Sequence, residues 1–259
     1  MKFLVPLLSL ASMTLATATD LTVVSFNIRN GGRRMDGVYD HPLQIQVLKD
    51  LQPDVVAMQE VDHFTKRSGG INIAGDYARA LGMTSHFAAA MPYGGGAYGA
   101  AVLSKFPAVE DESINLPVKD GEPRVCVLRF LQVPGVGIVA FAGVHLDSGD
   151  TDAARLENAK LIIARLQRVK EPVVIAGDFN DQPDSATLKL FAAAGFHRLI
   201  PQGDPNSFPA DQPKTTIDHI LTKDSERATI QDLGTRVPPI ANASDHRPLQ
   251  SHLRITLKP

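Results

Sequence analysis

The sequence predicts an α/β chain of mixed β-sheets covered by helices, and three observations carry that expectation. Apolar extended runs outnumber helical patterns along most of the chain. Two adjacent runs are joined by a Pro-Gly turn, a hairpin that a purely parallel sheet would not contain. With 259 residues, 44% of them hydrophobic and 21% charged, the chain can bury a sizeable core. No internal repeat, low-complexity tract or long linker interrupts it, so one domain is expected.

Taken in order, the chain opens with a single lysine and an apolar stretch reaching about Leu15. Ala16-Thr17-Ala18 then supplies an A-x-A cleavage pattern. Residues 1–18 therefore read as a signal peptide and residues 19–259 as the mature domain. The stretch falls short of the ~20 residues that a membrane-spanning helix needs. The only cysteine, Cys126, is far from the cleavage site, so no lipid-bearing cysteine anchors the mature end. A soluble product, secreted or periplasmic, with no stable membrane anchor is the expectation. Cys126 has no partner for an intramolecular disulfide and reads as a small buried hydrophobe.

Leu21 to Ile28 reads as a strand. Ile45, Val47, Leu48 and Leu51 give the helical face of a segment from Gln44 that Pro53 closes. A strand over Val55 to Met58 follows. Ile71, Ala74, Ala78 and Leu81 then mark a helix that Gly82 can cap. Ala97 to Leu103, Val125 to Phe130 and Gly137 to Val144 read as strands, the last two paired around Pro134-Gly135. Thr151 to Val169 is the longest helical pattern, and Leu188 to Ala194 a shorter one. Val173 to Ala176, Ile217 to Leu221, Ala228 to Leu233 and Gln250 to Leu257 complete the strands. The triple glycine at 94–96 precedes a strand rather than a helix N-terminus, so it is a loop and not a phosphate cradle.

Chemistry-bearing residues recur where apolar runs stop. Val173-Val174-Ile175-Ala176-Gly177 ends in Asp178 and Asn180, two residues apart, which on an extended chain would share a face. Asn27, Glu60 and His145 end three other runs. Asp218 opens one, and Asp245-His246 precede the last. Acids and amides suit a hard cation, and histidines suit proton transfer. The formal charge of −2 argues against gripping duplex nucleic acid by electrostatics alone, but leaves a metal-assisted nuclease open.

Six short motifs carry a resemblance. They are Ser25-Phe26-Asn27, Gln59-Glu60-Val61-Asp62, Gly143-Val144-His145-Leu146, Gly177-Asp178-Phe179-Asn180, Ile217-Asp218-His219 and Ser244-Asp245-His246-Arg247-Pro248-Leu249. In that order they resemble the endonuclease/exonuclease/phosphatase, DNase I-like superfamily over residues 21–257. Arg67-Ser68-Gly69-Gly70 and Tyr98 to Ser104 resemble a secreted bacterial branch of it. The resemblance implies an α/β (α+β) four-layer sandwich, two mixed sheets face to face with helices outside. It also implies a Mg²⁺-dependent phosphoesterase, with Mn²⁺ as a possible substitute.

With that chemistry, Glu60 binds the metal, Asn27 is a second ligand or close neighbour, and Asp245 stands near a second metal position. His246 is the general base, and Asp218 orients its ring. Asp178 orients the water or assists the leaving oxygen, while Asn180 and His145 donate to phosphoryl oxygens. Arg67 and Arg124 are candidates to grip substrate phosphate. His219, where tyrosine is common, should alternate away from Asp218, and Thr216 replaces a frequent arginine. The substrate is a phosphate ester, mono- or diester, with nucleic acid or a lipid headgroup as possibilities and no protein partner implied. The absence of tryptophan and of a basic run tilts the reading toward a small or lipid ester. An extracellular nuclease and a catalytically silent binding module are the rival readings.

Overall fold

The structure, a computed structural model, describes residues 17–32, 37–119 and 121–259. Two six-stranded sheets account for its strands. The first runs in the order β11 (Ala228–Arg236), β12 (Leu249–Leu257), β1 (Ala18–Asn27), β2 (Val55–His63), β4 (Gly96–Ser104), β3 (Thr84–Tyr93). The second runs β5 (Ala108–Leu116), β6 (Arg124–Val133), β7 (Gly137–His145), β8 (Val173–Asp178), β10 (Asp218–Lys223), β9 (His197–Arg198). Each sheet has one parallel pair at its centre, β1 with β2 and β7 with β8, and antiparallel pairs outside. A parallel pair needs a crossover, here through α2 (His41–Leu51) in the first sheet and α4 (Ala153–Leu166) in the second.

Three apolar clusters make this a four-layer α/β sandwich. Val23, Ala57, Val102, Val127, Phe141 and Ala176 meet between the sheets. Phe26, Met58 and Leu48 pack the first sheet against α2 and α3 (Ile73–Leu81). Ile175, Ile162 and Phe191 pack the second against α4 and α5 (Ala186–Ala193). Inner strands are thus apolar on both faces, which is why they read as continuous hydrophobic runs rather than alternating ones. Cys126 lies in the outer layer of the second sheet, and burial pushes its thiol up to about 12.

Three strands escape the sequence pattern. β5 is an edge strand carrying Glu110, Asp111 and Glu112 in succession, and these acidic residues hide its period. β3 is an alanine-rich edge strand, and β9 has two residues. The tip between β1 and α2 holds a short turn, α1 (Arg29–Gly32), in which Asn30 and Gly31 have left-handed φ of 60° and 92°. Of the expected leader, residues 1–16 lie outside the described residues. Ala18, at its end, already pairs with Thr256 as the first residue of β1. Among the described residues no helix is long and apolar enough to cross a membrane.

Gly177 shows how closely the central pair packs. A Cβ there would lie 2.0 Å from the Val144 carbonyl oxygen of the neighbouring strand. Because the obstacle is backbone, it cannot swing aside. Gly177→Ala is expected to destabilise the fold by about 3 kcal/mol, read as a lower denaturant midpoint at unchanged slope.

Candidate active site

Strand alternation brings the chemistry to one place. Val23 of β1, Phe141 of β7, Ala176 of β8 and Ile220 of β10 face the seam between the sheets. Side chains two apart share a face, so Asn27, His145, Asp178 and Asp218 also face the seam, at the strand ends. Glu60 needs a further device. Met58 and Val61 both pack toward the helices, which strict alternation forbids for residues three apart. A β-bulge between them, with Glu60 at φ 55°, resets the phase. It turns Glu60 from the helix side to the seam.

Asn27 joins the two sheets there. Its amide nitrogen donates to Glu60 Oε1 at 3.0 Å and to Asp178 Oδ2 at 3.1 Å. Its oxygen accepts the Arg29 amide at 3.1 Å. In this geometry Asn27 orients the carboxylates as Glu60's close neighbour; its oxygen is turned to the Arg29 backbone. His246 Nδ1 donates to Asp218 Oδ2 at 2.9 Å, leaving Nε2 directed at Asp178 Oδ2, 3.6 Å away. His145 Nε2 stands 3.8 Å from the same Asp178 oxygen. An Arg124 N–H lies 3.5 Å from His145 Nδ1. Arginine can only donate, so Nδ1 is the acceptor and Nε2 carries the proton.

Asp178 and Asn180 do come together, but not by the extended geometry expected. β8 ends at Asp178, and Asn180 has a left-handed φ of 50°. The Asn180 N–H donates to Asp178 Oδ1 at 2.9 Å, and its side-chain amide to the Leu146 carbonyl at 3.0 Å. Asparagine tolerates that conformation, and an Asx turn replaces alternation. Asp245 pairs with Arg29 at 3.2 Å at the site's edge.

Burial raises the pKa of Glu60, against the Asn27 hydrogen bond, and Asp245 adds to the rise. Burial likewise raises that of Asp178, opposed by His246. Burial disfavours charge on His246, but the carboxylates of Asp218 and Asp178 outweigh it and shift its pKa up. His145 is held neutral, first by burial and then by the Arg124 and His246 charges. Buried carboxylates crowd one seam, and Asp218 Oδ1 has no hydrogen-bond partner. This oxygen-rich, negatively charged donor set fits a hard divalent cation. Ligand atoms of Asp178, Asp218 and His246 lie within 4.8 Å of one another and could also hold an ion.

The two arginines fare differently. Arg124 is buried beside His145 and paired with Glu122, and its charge acts on the nearby Tyr98 phenol. Arg67 is committed elsewhere, through Nε and Nη2 to both oxygens of Asp62 at 2.7 Å and through Nη2 to Asn30 at 2.7 Å. Its plane covers the Tyr93 ring at 4.1 Å. His219 points to the helix side, edge-on to Phe179, with Nε2 2.9 Å from the Asp181 carbonyl. Thr216 bonds Asn206 at 3.0 Å.

Two contributors escaped sequence reasoning. Buried Gln44 on α2 donates to the carbonyls of Ile28 and Ala243 and accepts from Tyr77, so it ties together the loops carrying Asn27 and His246. It stood at the start of an amphipathic pattern, where a polar residue reads as exposed. Tyr98 is buried at the seam, its phenol pushed up by burial and by the Glu60 and Glu122 carboxylates. It lay in a motif quoted only for resemblance.

A two-sheet α/β sandwich with carboxylates and histidines gathered at one end of its seam is the architecture of metal-assisted phosphoester hydrolases. The model of the endonuclease/exonuclease/phosphatase family matches residues 24–246, and the chain belongs to that family, a family of phosphoester hydrolases that is generally divalent-metal dependent. The uncharacterized protein YbhP of Escherichia coli K12 is 28% identical over 169 residues, 63% of this chain; the match spans 65% of that protein's length. Among solved structures, an endonuclease/exonuclease/phosphatase family protein of Bacteroides thetaiotaomicron has a TM-score of 0.73 at 20% identity, over 93% of this chain and 96% of that one. A mannosyl-6-phosphatase of the same species gives 0.68 at 21%, over 90% and 99%. The human nocturnin catalytic domain, with a bound sulfate anion, gives 0.72 at 20%, over 93% and 97%. At these identities the structural likeness shows the DNase I-like fold.

Arg67→Ala strips the fork from Asp62, which is fully buried, and should cost about 2–4 kcal/mol; Arg67→Lys should recover part of it, both read by denaturant unfolding. Burial lowers the His219 pKa to about 4, against about 6.5 unfolded. The unfolded chain therefore binds more protons between those values, so this contribution is complete above pH 6.5 and declines as pH falls toward 4. The stability gap between the wild type and His219→Phe should shrink across that window, measured by urea unfolding at pH 7 and 4.5.

Proposed function

We propose that this protein is an exported, Mg²⁺-dependent phosphoesterase that hydrolyses phosphate mono- or diesters by in-line attack of a water activated at His246. The single observation that carries the reading is the convergence of Glu60, Asn27, His145, Asp178, Asp218 and His246, drawn from both sheets, on one polar seam. The leader pattern of residues 1–18 supports export.

Glu60, with Asp245 beside it, would hold the cation. When bound, the cation supplies positive charge against the phosphoryl oxygens. Asp218 holds His246 by Nδ1 and fixes which nitrogen meets the water. Asp178, whose pKa burial raises, is the neighbour that can take the Nε2 proton and leave that nitrogen ready to accept the water's. His145 keeps its Nε2–H as a neutral donor because Arg124 occupies the other side of the ring. That donor is aimed into the seam, where charge develops on the phosphoryl oxygens, and a preorganised donor of this kind is commonly worth ~10²–10³ in kcat. Asn180, locked by its turn, keeps Asp178 and the Leu146 loop in register.

The test is turnover of a chromogenic phosphodiester and of a phosphate monoester with Mg²⁺, against an EDTA control. EDTA should abolish activity. His246→Ala and Asp218→Asn should each lower kcat by about 10²–10⁴-fold with thermal unfolding little changed. Activity that survives EDTA, together with His246→Ala matching wild type, would sink the proposal. A panel of plasmid DNA, RNA, sphingomyelin, phosphoinositides and sugar phosphates assigns the substrate class; cleavage of DNA with the others inert would make the protein a nuclease.

A further inference from the structure

One cavity opens directly beside this seam, and its chemistry differs sharply from the seam's. It has a volume of about 540 Å³ and lies between the end of the β3–β4 hairpin and the start of β6. The first sheet contributes Ala89, Met91 and Ala97, the second Leu116, and the loop between β5 and β6 Val118 and Pro123. Among the described lining residues only Asn115 and Arg124 have polar side chains. Arg124 marks the inner end, since the same guanidinium lies 3.5 Å from His145. The register explains the position: Met91 pairs with Tyr98, and Leu116 with Arg124, so groove and seam occupy the same end of the sandwich. A β3 bulge between Ala89 and Met91 shapes the upper wall.

We infer that this groove receives the organic group of the substrate, and that the substrate is a phosphate ester carrying an apolar alkyl or aryl group. The inference rests on the phosphoesterase reading above. A sugar or polyol would bring several hydroxyls into a wall that offers one amide and one guanidinium, and each unpaired hydroxyl would be costly. A nucleic-acid strand needs cations along its phosphates, and among the described lining residues Arg124 is the one cation. An apolar group satisfies the wall as it stands, while its phosphate lies at Arg124 and His145. In the reaction the water oxygen bonds to phosphorus as the P–O bond to the leaving alcohol breaks. The water's proton goes to the His246–Asp178 pair and from there to solvent, and the departing oxygen takes a proton from solvent and leaves as the alcohol.

The experiment measures calorimetric Kd values of alkylphosphonates, methyl through decyl, on the full mature protein with Mg²⁺ present. Kd should fall about two- to fourfold per added methylene, then level off when the groove is filled. Ala89→Asp and Met91→Asp place a charge in the wall and should flatten that dependence. Val109→Asp, at the exposed start of β5, should leave it intact. A Kd independent of chain length overturns the inference, and so does a slope that both groove variants leave unchanged. Failure of the enzyme reading is seen separately, as no turnover of any phosphoester whatever the binding series shows. A parallel arm with phosphatidic acid in phosphatidylcholine vesicles separates the sources of the apolar group. Binding of decylphosphonate alone identifies a soluble ester, and binding of both identifies a lipid; each supports the groove assignment.

Discussion

Asn27 holds two carboxylates from two different sheets with one amide nitrogen, and the organisation of the site depends on that contact. Glu60 belongs to the first sheet and Asp178 to the second, and both are carboxylates taken largely out of water. Without a shared donor they would repel across the seam. Asn27 can serve both because its oxygen is already satisfied by the Arg29 backbone, which leaves the NH₂ group no choice of direction. The arrangement gathers negative charge in one place, and that is what a cation and a phosphoryl group require.

The seam gathers polar groups because the sheets leave them nowhere else to go. The central strands are largely apolar on both faces through their middles, so polarity concentrates where they leave the sandwich. The two parallel pairs emerge at the same end, which superimposes the ends of β1 and β2 on those of β7 and β8. Loops then lock against each other. Ser244 donates to the Asn27 carbonyl at 2.7 Å, and Gln44 bridges Ile28 and Ala243. The loop carrying Asp245 and His246 is therefore fastened to the strand carrying Asn27, and His246 reaches across to Asp218 of the other sheet. Left-handed backbone recurs in this region, besides the α2 C-cap Gln52 and Phe64. Asn30, Glu60 and Asn180 all have positive φ, and each sits in or beside the site.

Legibility in the sequence followed burial. Strands buried on both faces, such as Val173 to Ala176, could be read because every position was apolar. The exposed edges β3 and β5 could not, since an edge strand owes its place to a neighbour's hydrogen bonds and its residues can be acidic or small. The same asymmetry holds within the site. Asn27, His145, Asp178, Asp218 and His246 were visible because each interrupts an apolar run. Gln44 was hidden because a glutamine on a helix looks solvated until the carbonyls it serves are known. Arg67 looked like a free cation beside a glycine pair, and its contact with Asp62 emerges only when the bulged strand turns that carboxylate toward it.

The sequence by itself determined the layered class, the order of the polar strand ends and the kinds of group that meet there. Periodicity and residue type are local properties, and a buried strand writes them openly. Only the tertiary structure decided how those groups face one another: the bulge that turns Glu60 to the seam, the Asx turn that replaces alternation at Asn180, the donor that Asn27 shares between sheets, and the apolar groove beside Arg124. Each depends on which strand lies against which, and on a change of phase or of φ at one residue. Those are set by the packing of distant segments, through contacts that no single stretch of sequence contains.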